Sequence, residues 1–401
     1  SRVIEISPEQ GKDNENLMLA LEKAAGYKGK PVTVRLSPGI YELDRSKSTQ
    51  VLYHISNTTS ESEDPDPTKH IGLYLHSLKN ITIDGCGSTL QMNGEMTSFV
   101  LDRCEGIILK NLNIDYKHPT QTEVEVLEEG KDYLIVQVHP TSQYRIVDEQ
   151  LEWYGDGWSF KNGIAQSYDR ASNMTWRSWS PMENLIRAVE LRPNVLYLQY
   201  KEKPQVGLHI VFQMRDSFRD EVSGFVNRSK NVQLENLNFY YLGNFGVVCQ
   251  YSENVTFDRC NFAPRPDSGR TNAGFADFIQ VSGCRGMIDI RNSRFSGAHD
   301  DPINIHGTHL RVTEFLSPNR LKVRFMHDQT FGFEAFFKGD DIELVDPLSL
   351  LAVEKAKVKE AKLVTPREME LTLSGPLSPE VIQRKDLVVE NVLWLSLIHI
   401  S

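Results

Sequence analysis

A short segment that recurs along the chain constrains the fold more than any other feature. Each copy starts near an Asn or Gly, continues with alternating apolar residues, and most copies end in Asn-x-x-Phe or a close variant. A lone copy with this period-two pattern cannot cover its own apolar face, so successive copies must stack as short strands. The copies are KNITIDG from Lys79, EGIILKNLNIDY from Glu105, KNVQLENLNFYY from Lys230, ENVTFDRCNF from Glu253 and RGMIDIRNSRF from Arg285.

The spacing of the copies is that of a coil-type repeat. Asn80 and Gly106 are 26 residues apart, Asn231 and Asn254 are 23 apart, and Asn254 and Gly286 are 32 apart because of an insertion. We therefore predict an all-β chain folded as a right-handed parallel β-helix, a solenoid. A β-sandwich would also have short alternating strands, but it would not explain the internal similarity.

Two stretches lack the repeat and divide the chain. We predict an N-terminal cap and the first coils at 1–116, with a capping helix in ENLMLALEKAA, and central coils carrying the site at 223–307. We predict inserted β-rich, barrel-like domains at 117–222 and 308–390. Residues 391–401 do not continue the pattern, and we expect them to be a truncated end with a non-native tail.

Composition narrows the classes of function. The formal charge of −10 would repel a phosphate backbone, and this argues against a nucleic-acid partner. No apolar run approaches the ~20 residues of a bilayer span. The five cysteines lack CxxC spacing, so we predict neither a zinc site nor a disulfide framework, and we interpret them as small apolar fillers.

Three aspartates form the candidate catalytic site. Aligning the coils places Val247 opposite Ile279, and Ile303 follows one coil later, so Asp277 and Asp301 fall in one column beside Asp300. Stacked strands lie ~4.8 Å apart, so the three carboxylates should be close, and one should hold a proton near neutrality. Glycoside cleavage needs such a pair of carboxyl groups. The alternative is structural, because Asp ladders in solenoids also cap turns or bind calcium.

Strict alternation would turn Asp277 and Asp301 to the interior face, so we predict a bend immediately before each strand. Further candidates for substrate binding lie nearby or in the first insertion. Tryptophan faces suit sugars, although Trp158 could equally belong to a domain core. The candidate substrate-binding residues are His299, His306, Arg270, Asn304 and Trp158.

These residues resemble those of a known group of enzymes. The segments FADFIQV and HDDPINIHG resemble the polygalacturonase-type β-helix hydrolases, and with the two β-rich interruptions the chain is more similar to glycoside hydrolase family 110. Members of that family are exo-acting α-1,3-galactosidases, including enzymes that remove the terminal galactose of blood group B antigens.

The resemblance implies an inverting hydrolase that uses no metal or cofactor, in a bacterial periplasmic or secreted location. It implies Asp300 as the general acid, with Asp277 and Asp301 positioning and deprotonating water. Phe275 and Ala276 stand where the polygalacturonase pattern has Asn-Thr, which argues against a uronic-acid substrate. The expected partner is an oligosaccharide or glycan. A pectinase-like hydrolase or lyase and a non-catalytic glycan-binding solenoid remain the alternatives.

Overall fold

The computed structural model describes residues 2–394 and 397–400, and the fold is all-β. The helical elements are α1 (Asp13–Ala25), a single turn at Pro379–Ile382 and a 3-10 turn at Arg45–Lys47. The predicted helical stretch lies inside α1. Its apolar side chains follow helical spacing, and Leu17, Leu21 and Ala24 are buried against the neighbouring strands.

The repeated segments form one large sheet, sheet A, in which every pairing between strands is parallel. Each copy pairs with the next, for example Val232 with Ile107 and Leu234 with Leu109, and the register shifts only in the pairings of the first copy with the second and of the fourth with the fifth. The strands of sheet A are Arg2–Ile6, Val32–Leu36, Ile40–Asp44, Lys79–Asn93, Glu105–Tyr116, Lys230–Phe239, Glu253–Asp258, Asn261–Phe262, Arg285–Arg291, Arg294–Phe295 and Leu397–Ile400.

A second sheet, sheet B, is built from the segments between those copies. Its pairings are parallel except for the edge pair Thr49–Leu52 and Thr68–His76. From residue 68 onward, leaving the two insertions aside, successive segments of the chain belong alternately to sheet B and sheet A. The strands of sheet B are Thr49–Leu52, Thr68–His76, Thr97–Asp102, Val222–Asn227, Phe245–Gln250, Ile279–Ser282 and Ile303–His306.

The Asn or Gly of each repeat has a local backbone role. Asn80, Asn231 and Asn254 have φ of 55°, 55° and 56°, and Gly106 and Gly286 have φ of 69° and 68°. This left-handed conformation is tolerated best by Gly and Asn, so these residues turn the chain into each strand of sheet A.

A ladder of aromatic rings runs along the ends of the last three copies of the repeat. The rings of Phe239, Phe262 and Phe295 stack with centroids 4.7 Å apart at each step and interplanar angles of 8° and 6°. This distance matches the ~4.8 Å spacing of stacked strands. The ladder therefore explains the recurring phenylalanine.

The first insertion forms an antiparallel sheet of seven strands, which we call the inserted sheet. Within the described residues its strands pair in one continuous order from Met174–Ser178 to Leu185–Arg192. A separate sheet of three strands packs nearby. The strands of the inserted sheet are Thr122–Glu129, Tyr133–Val138, Ile164–Asp169, Met174–Ser178, Leu185–Arg192, Val195–Tyr200 and Val211–Arg215, and those of the small sheet are Tyr144–Val147, Gln150–Gly155 and Trp158–Phe160.

The second insertion is a closed antiparallel barrel with its own apolar core. Its strands are His309–Ser317, Arg320–Arg324, Asp341–Val345, Ala352–Thr365, Glu368–Leu373 and Val388–Asn391. Leu397–Ile400 pairs in parallel with Arg285–Arg291, whereas residues 395, 396 and 401 of the expected tail lie outside the described residues.

Two expectations from composition can be compared with the structure. Four cysteines are buried as the filler interpretation requires, but Cys86 is exposed because it lies in a bulge where the register of strand Lys79–Asn93 shifts. No helix among residues 2–394 is long and apolar enough to cross a bilayer.

Candidate active site

The three aspartates lie where two neighbouring strands of sheet B begin. The strands begin at Ile279 and Ile303, so Asp277 and Asp301 precede the regular strand and are not bound by its alternation. The Phe278 amide donates to the Asp301 carbonyl at 3.2 Å, and the Ile279 amide donates to the Pro302 carbonyl at 3.0 Å. These bonds stack the two entry turns directly on each other.

This stacking gathers three carboxylates in one place. One oxygen each of Asp277, Asp300 and Asp301 lies within 4.8 Å of the others. Asp277 is buried, with 5% of its surface exposed, whereas Asp300 and Asp301 are exposed. One carboxylate therefore stands at the base of the group, and two face the solvent side where a substrate can arrive.

Burial shapes the chemistry of Asp277. Its pKa is raised above the ordinary value, first because burial disfavours the charged carboxylate and further because Asp300 and Asp301 repel it. The Asn304 Nδ2 donates to Asp277 Oδ2 at 2.9 Å and opposes that shift, as does Arg219. A carboxylate of this kind is a suitable general base near neutral pH.

Arginine side chains from outside the coils reach the same region. Arg215, at the end of an inserted-sheet strand, donates through Nη1 to the Phe275 carbonyl, two residues before Asp277. Arg219 Nη2 donates to Gln329 Oε1 at 2.8 Å, which links the entry of sheet B to the barrel domain. The inserted sheet and the barrel domain thus flank the carboxylates.

Further carboxylates occupy the same edge of sheet B. Asn244 donates to Asp220 Oδ1 at 2.5 Å, and the pKa of buried Glu95 is raised well above its usual range by burial and then by Asp220. Burial also raises the pKa of Asp216 to about 6. Buried carboxyl groups that keep a proton can donate hydrogen bonds as well as accept them.

His299 is a buried link between the Asp300 turn and the inserted sheet. Gln121 Nε2 donates to its Nδ1 at 3.0 Å, and its Nε2 contacts Gln213 Oε1 at 2.6 Å, so Nε2 carries the proton. Burial and the nearby cations Arg215 and Arg177 hold its pKa well below the usual range. Its ring nitrogens are occupied, and the residue orients the Asp300 turn rather than presenting a free imidazole.

The other predicted residues have diverse positions. Asn304 contacts Asp277 directly, as described. His306 lies at the opposite end of its strand, ~16 Å along the chain from Asp301 by strand rise, and its Nδ1 contacts the Gly307 carbonyl at 3.1 Å. Arg270 is buried in an ion pair with Asp115 at 2.6 Å.

Trp158 belongs to the core of the first insertion. It is 8% exposed and stacks on Phe160 with centroids 5.9 Å apart, which leaves little of its ring for a sugar. The structure therefore brings Asn304 to the carboxylates, places His299 behind them, and does not bring Arg270, His306 or Trp158 into contact with them.

Sequence reasoning missed the residues that the inserted sheet contributes. Gln213 and Arg215 are two residues apart in the strand Val211–Arg215, all five residues of which are buried. Buried polar side chains on one face of a strand need partners. The alternation of polar residues in FQMR was a usable signal, but it did not reveal that the partners lie more than 50 residues away.

The chain also has a groove of about 570 Å³ between α1 and strand Thr68–His76, lined in part by Leu17, Met18 and Tyr74. None of the predicted site residues lines it. Its lining is mostly apolar and lacks a group of adjacent carboxylates, so the chemistry points to the aspartates.

Comparison with known proteins identifies relatives of this chain. The family profiles "GLAA-B beta-barrel domain I" and "GLAA-B beta-barrel domain II" match residues 121–210 and 320–388. Alpha-1,3-galactosidase A of Bacteroides thetaiotaomicron is 85% identical over 401 residues, which is all of this chain and 71% of that protein.

More distant relatives carry the same name. Alpha-1,3-galactosidase A of Akkermansia muciniphila is 37% identical over 94% of this chain and 63% of its own length. That of Bacteroides fragilis is 35% identical over 89% of this chain, and the matched part is 59% of its length. The chain thus spans about three fifths of these two proteins. On the strength of the 85% identity, this chain belongs to the α-1,3-galactosidase family of glycoside hydrolases.

Proposed function

We propose that this chain is an inverting exo-α-1,3-galactosidase that removes terminal α-1,3-linked galactose from glycans such as blood group B-type structures. The observation that carries the proposal is the group of three carboxylates, each with an oxygen within 4.8 Å of the others, in a chain of this family. Asp300 protonates the leaving oxygen, and Asp277 and Asp301 position and deprotonate the attacking water.

The environments of the carboxylates support this division of roles. Asp300 is exposed and can meet the leaving sugar, whereas Asp277 is buried and held by Asn304. The raised pKa of Asp277 matches a base that works near neutrality, and its distance from solvent favours action on a single enclosed water.

The fold proposal is that sheets A and B are two faces of a right-handed parallel β-helix. Its support is the alternation of the chain between two parallel sheets and the ring ladder of Phe239, Phe262 and Phe295. A crystal structure would measure the hand directly, and a left-handed path would refute it.

One observation favours a second mechanism, retention of configuration. Inverting enzymes usually keep their carboxyl groups ~6.5 to 9.5 Å apart, and retaining enzymes ~5 to 5.5 Å. The oxygens here approach more closely than the inverting range. Two points support the inverting mechanism. With a third carboxylate, two groups can act on the same water molecule while the third protonates the leaving oxygen, and the family resemblance implies inversion.

The test is hydrolysis of a galactosyl-α-1,3-galactose disaccharide, followed by proton NMR of the first product formed. Inversion releases β-galactose, and initial α-galactose would overturn the inverting mechanism in favour of retention. Asp301→Asn should lower kcat by roughly a thousandfold, because it removes a group that acts on the water. Asp132→Asn, in an exposed turn of the inserted sheet, is the matched control and should retain wild-type activity.

Two further arms separate the alternatives. Full activity in EDTA argues against a calcium-dependent lyase, as does the absence of an unsaturated product. Binding of the disaccharide by calorimetry without any turnover, unchanged in Asp301→Asn, would instead indicate a non-catalytic glycan-binding solenoid. We also propose a periplasmic or secreted location, which fractionation of the source cells would test.

A further inference from the structure

Arg215 occupies an unusual position beside the carboxylate turns. It is 8% exposed, its guanidinium carbon lies 3.7 Å from the centroid of the Phe275 ring, and its Nη1 donates to the Phe275 carbonyl. It has no salt-bridge partner in the described part of the chain. Burying a guanidinium costs desolvation free energy, so its charge has to be stabilised by contacts with neighbouring groups.

The contact falls on a segment whose Phe275 and Ala276 side chains are buried in an apolar cluster. Phe275 and Ala276 precede Asp277 outside any regular strand, and the Phe275 amide bonds to the Gly243 carbonyl at 3.3 Å. The planar guanidinium holds this segment twice, through the ring face and through the carbonyl oxygen. Lysine could not do both, because its ammonium is a compact point charge without a flat face.

We propose that Arg215 is a positioning residue for the hydrolysis: it holds the Phe275–Ala276–Asp277 turn so that Asp277 meets the water, and it presents a positive charge to Asp300. This inference rests on the proposed function and deepens it. It gives the inserted sheet a direct part in catalysis, through a residue that contacts the entry turn and does not touch the reacting atoms.

The electrostatic surroundings agree with this role. Burial, and after it the charge of Arg177, lowers the pKa of Arg215 to about 10, while Asp300 acts in the opposite direction. Arg215 therefore stays cationic at neutral pH. The charged and titratable groups that act on it or that it acts on are Arg177, Arg219, Tyr241, His299, Asp216 and Asp300.

The main test is Arg215→Met, which keeps an unbranched stem and removes the charge and both contacts. We expect kcat to fall about a hundredfold with KM changed less than about threefold, since a displacement of ~1 Å at a catalytic group has that effect. The alkaline limb of the kcat profile should move to higher pH, because ionisation of the neighbouring carboxyl groups becomes less favourable without the cation.

Two companion variants make the test specific. Arg215→Lys keeps the charge but not the flat contact, so it should recover the pH profile and not kcat. Arg145→Met removes a similar pair, with the guanidinium carbon 4.3 Å from the Tyr154 ring centroid in the small three-stranded sheet, and should leave kcat unchanged. A wild-type kcat in Arg215→Lys would overturn the positioning role. The role would also be overturned if the fall in kcat of Arg215→Met were fully explained by the fraction of that variant that is unfolded.

The two proposals can fail separately. Absence of turnover by the wild-type chain refutes the proposed activity, and crystal structures of wild type and Arg215→Lys then decide the positioning role. Displacement of the Asp277 carboxylate by more than ~0.5 Å supports it, because that is the tolerance of a productive site, and an unmoved carboxylate overturns it. If Arg215→Met does not fold, the kinetics of Arg215→Lys carry the same decision.

Discussion

Replacing Asn304 by alanine tests whether ionised Asp277 sets the acidic limit of activity. The Asn304 amide donates to Asp277 Oδ2 at 2.9 Å and lowers the pKa of a carboxyl group that burial raises. A hydrogen bond to a charged group contributes ~1.5 to 3 kcal/mol, and 1.36 kcal/mol corresponds to about one pH unit. Asp277 is only 5% exposed, so solvent screening reduces the contribution of this hydrogen bond only slightly.

The expected result follows from the sign of that effect. Without the amide, the charged carboxylate is less favoured, so the acidic limb of kcat/KM should move to higher pH by about one unit. On the acidic side, where the wild-type activity is already falling, kcat/KM of the variant should be about tenfold lower than that of the wild type. The difference should shrink as the pH rises. The assay is release of galactose from the galactosyl-α-1,3-galactose disaccharide between pH 4 and 9.

A matched control separates this effect from a general loss of packing. Asn238 donates to Asn113 Oδ1 at 2.7 Å in sheet A, so Asn238→Ala removes a similar bond without contact to Asp277. It should leave the acidic limb in place. If Asn304→Ala keeps the wild-type limb although it is folded, Asp277 does not act as the ionised base and the reasoning is wrong.

Two further predictions concern stability. A methyl group at Gly246 would lie 2.1 Å from the Phe278 carbonyl oxygen and 2.2 Å from that of Asp277, so Gly246→Ala should lower the free energy of unfolding by about 1 to 3 kcal/mol in urea. An unchanged midpoint would contradict this packing. The pKa of His299 is lowered in the folded state, so below pH ~6.5 only the unfolded chain binds a proton at this residue. As the pH falls below that value, His299 should lower the free energy of unfolding by up to about 1.4 kcal/mol per pH unit. His299→Gln should flatten the fall in unfolding free energy between pH 6.5 and 5, and an unchanged slope would contradict it.

Much of the site was predictable because the repeat makes distant residues local in space. The pairing of Val247 with Ile279 and of Ile279 with Ile303 was read from sequence spacing, and the structure confirms it. Once that register is known, Asp277 and Asp301 must be neighbours. The left-handed Asn and Gly positions add a steric reason for the repeat, since few other residues accept that backbone.

The residues around the carboxylates were harder to predict because they come from elements that do not repeat. Gln213 and Arg215 reach the site only because the inserted sheet docks beside it, and no spacing in the chain encodes that docking. Trp158 was ambiguous for the related reason that an aromatic side chain suits a sugar and a core equally. Its burial in the small sheet was decided by contacts with Phe160.

The strand pairing of sheet A is continuous across the point where the first insertion interrupts the chain. Strand Lys230–Phe239 pairs residue for residue with Glu105–Tyr116, matching Leu237 to Leu112 and Phe239 to Ile114, although the insertion separates them in the chain. A segment inserted between two strands that pair in this way can change without altering the pairing of sheet A, provided that Arg215 still reaches the Phe275 carbonyl. The two parallel sheets therefore need not change when residues of the inserted sheet that do not contact the carboxylate turns are replaced.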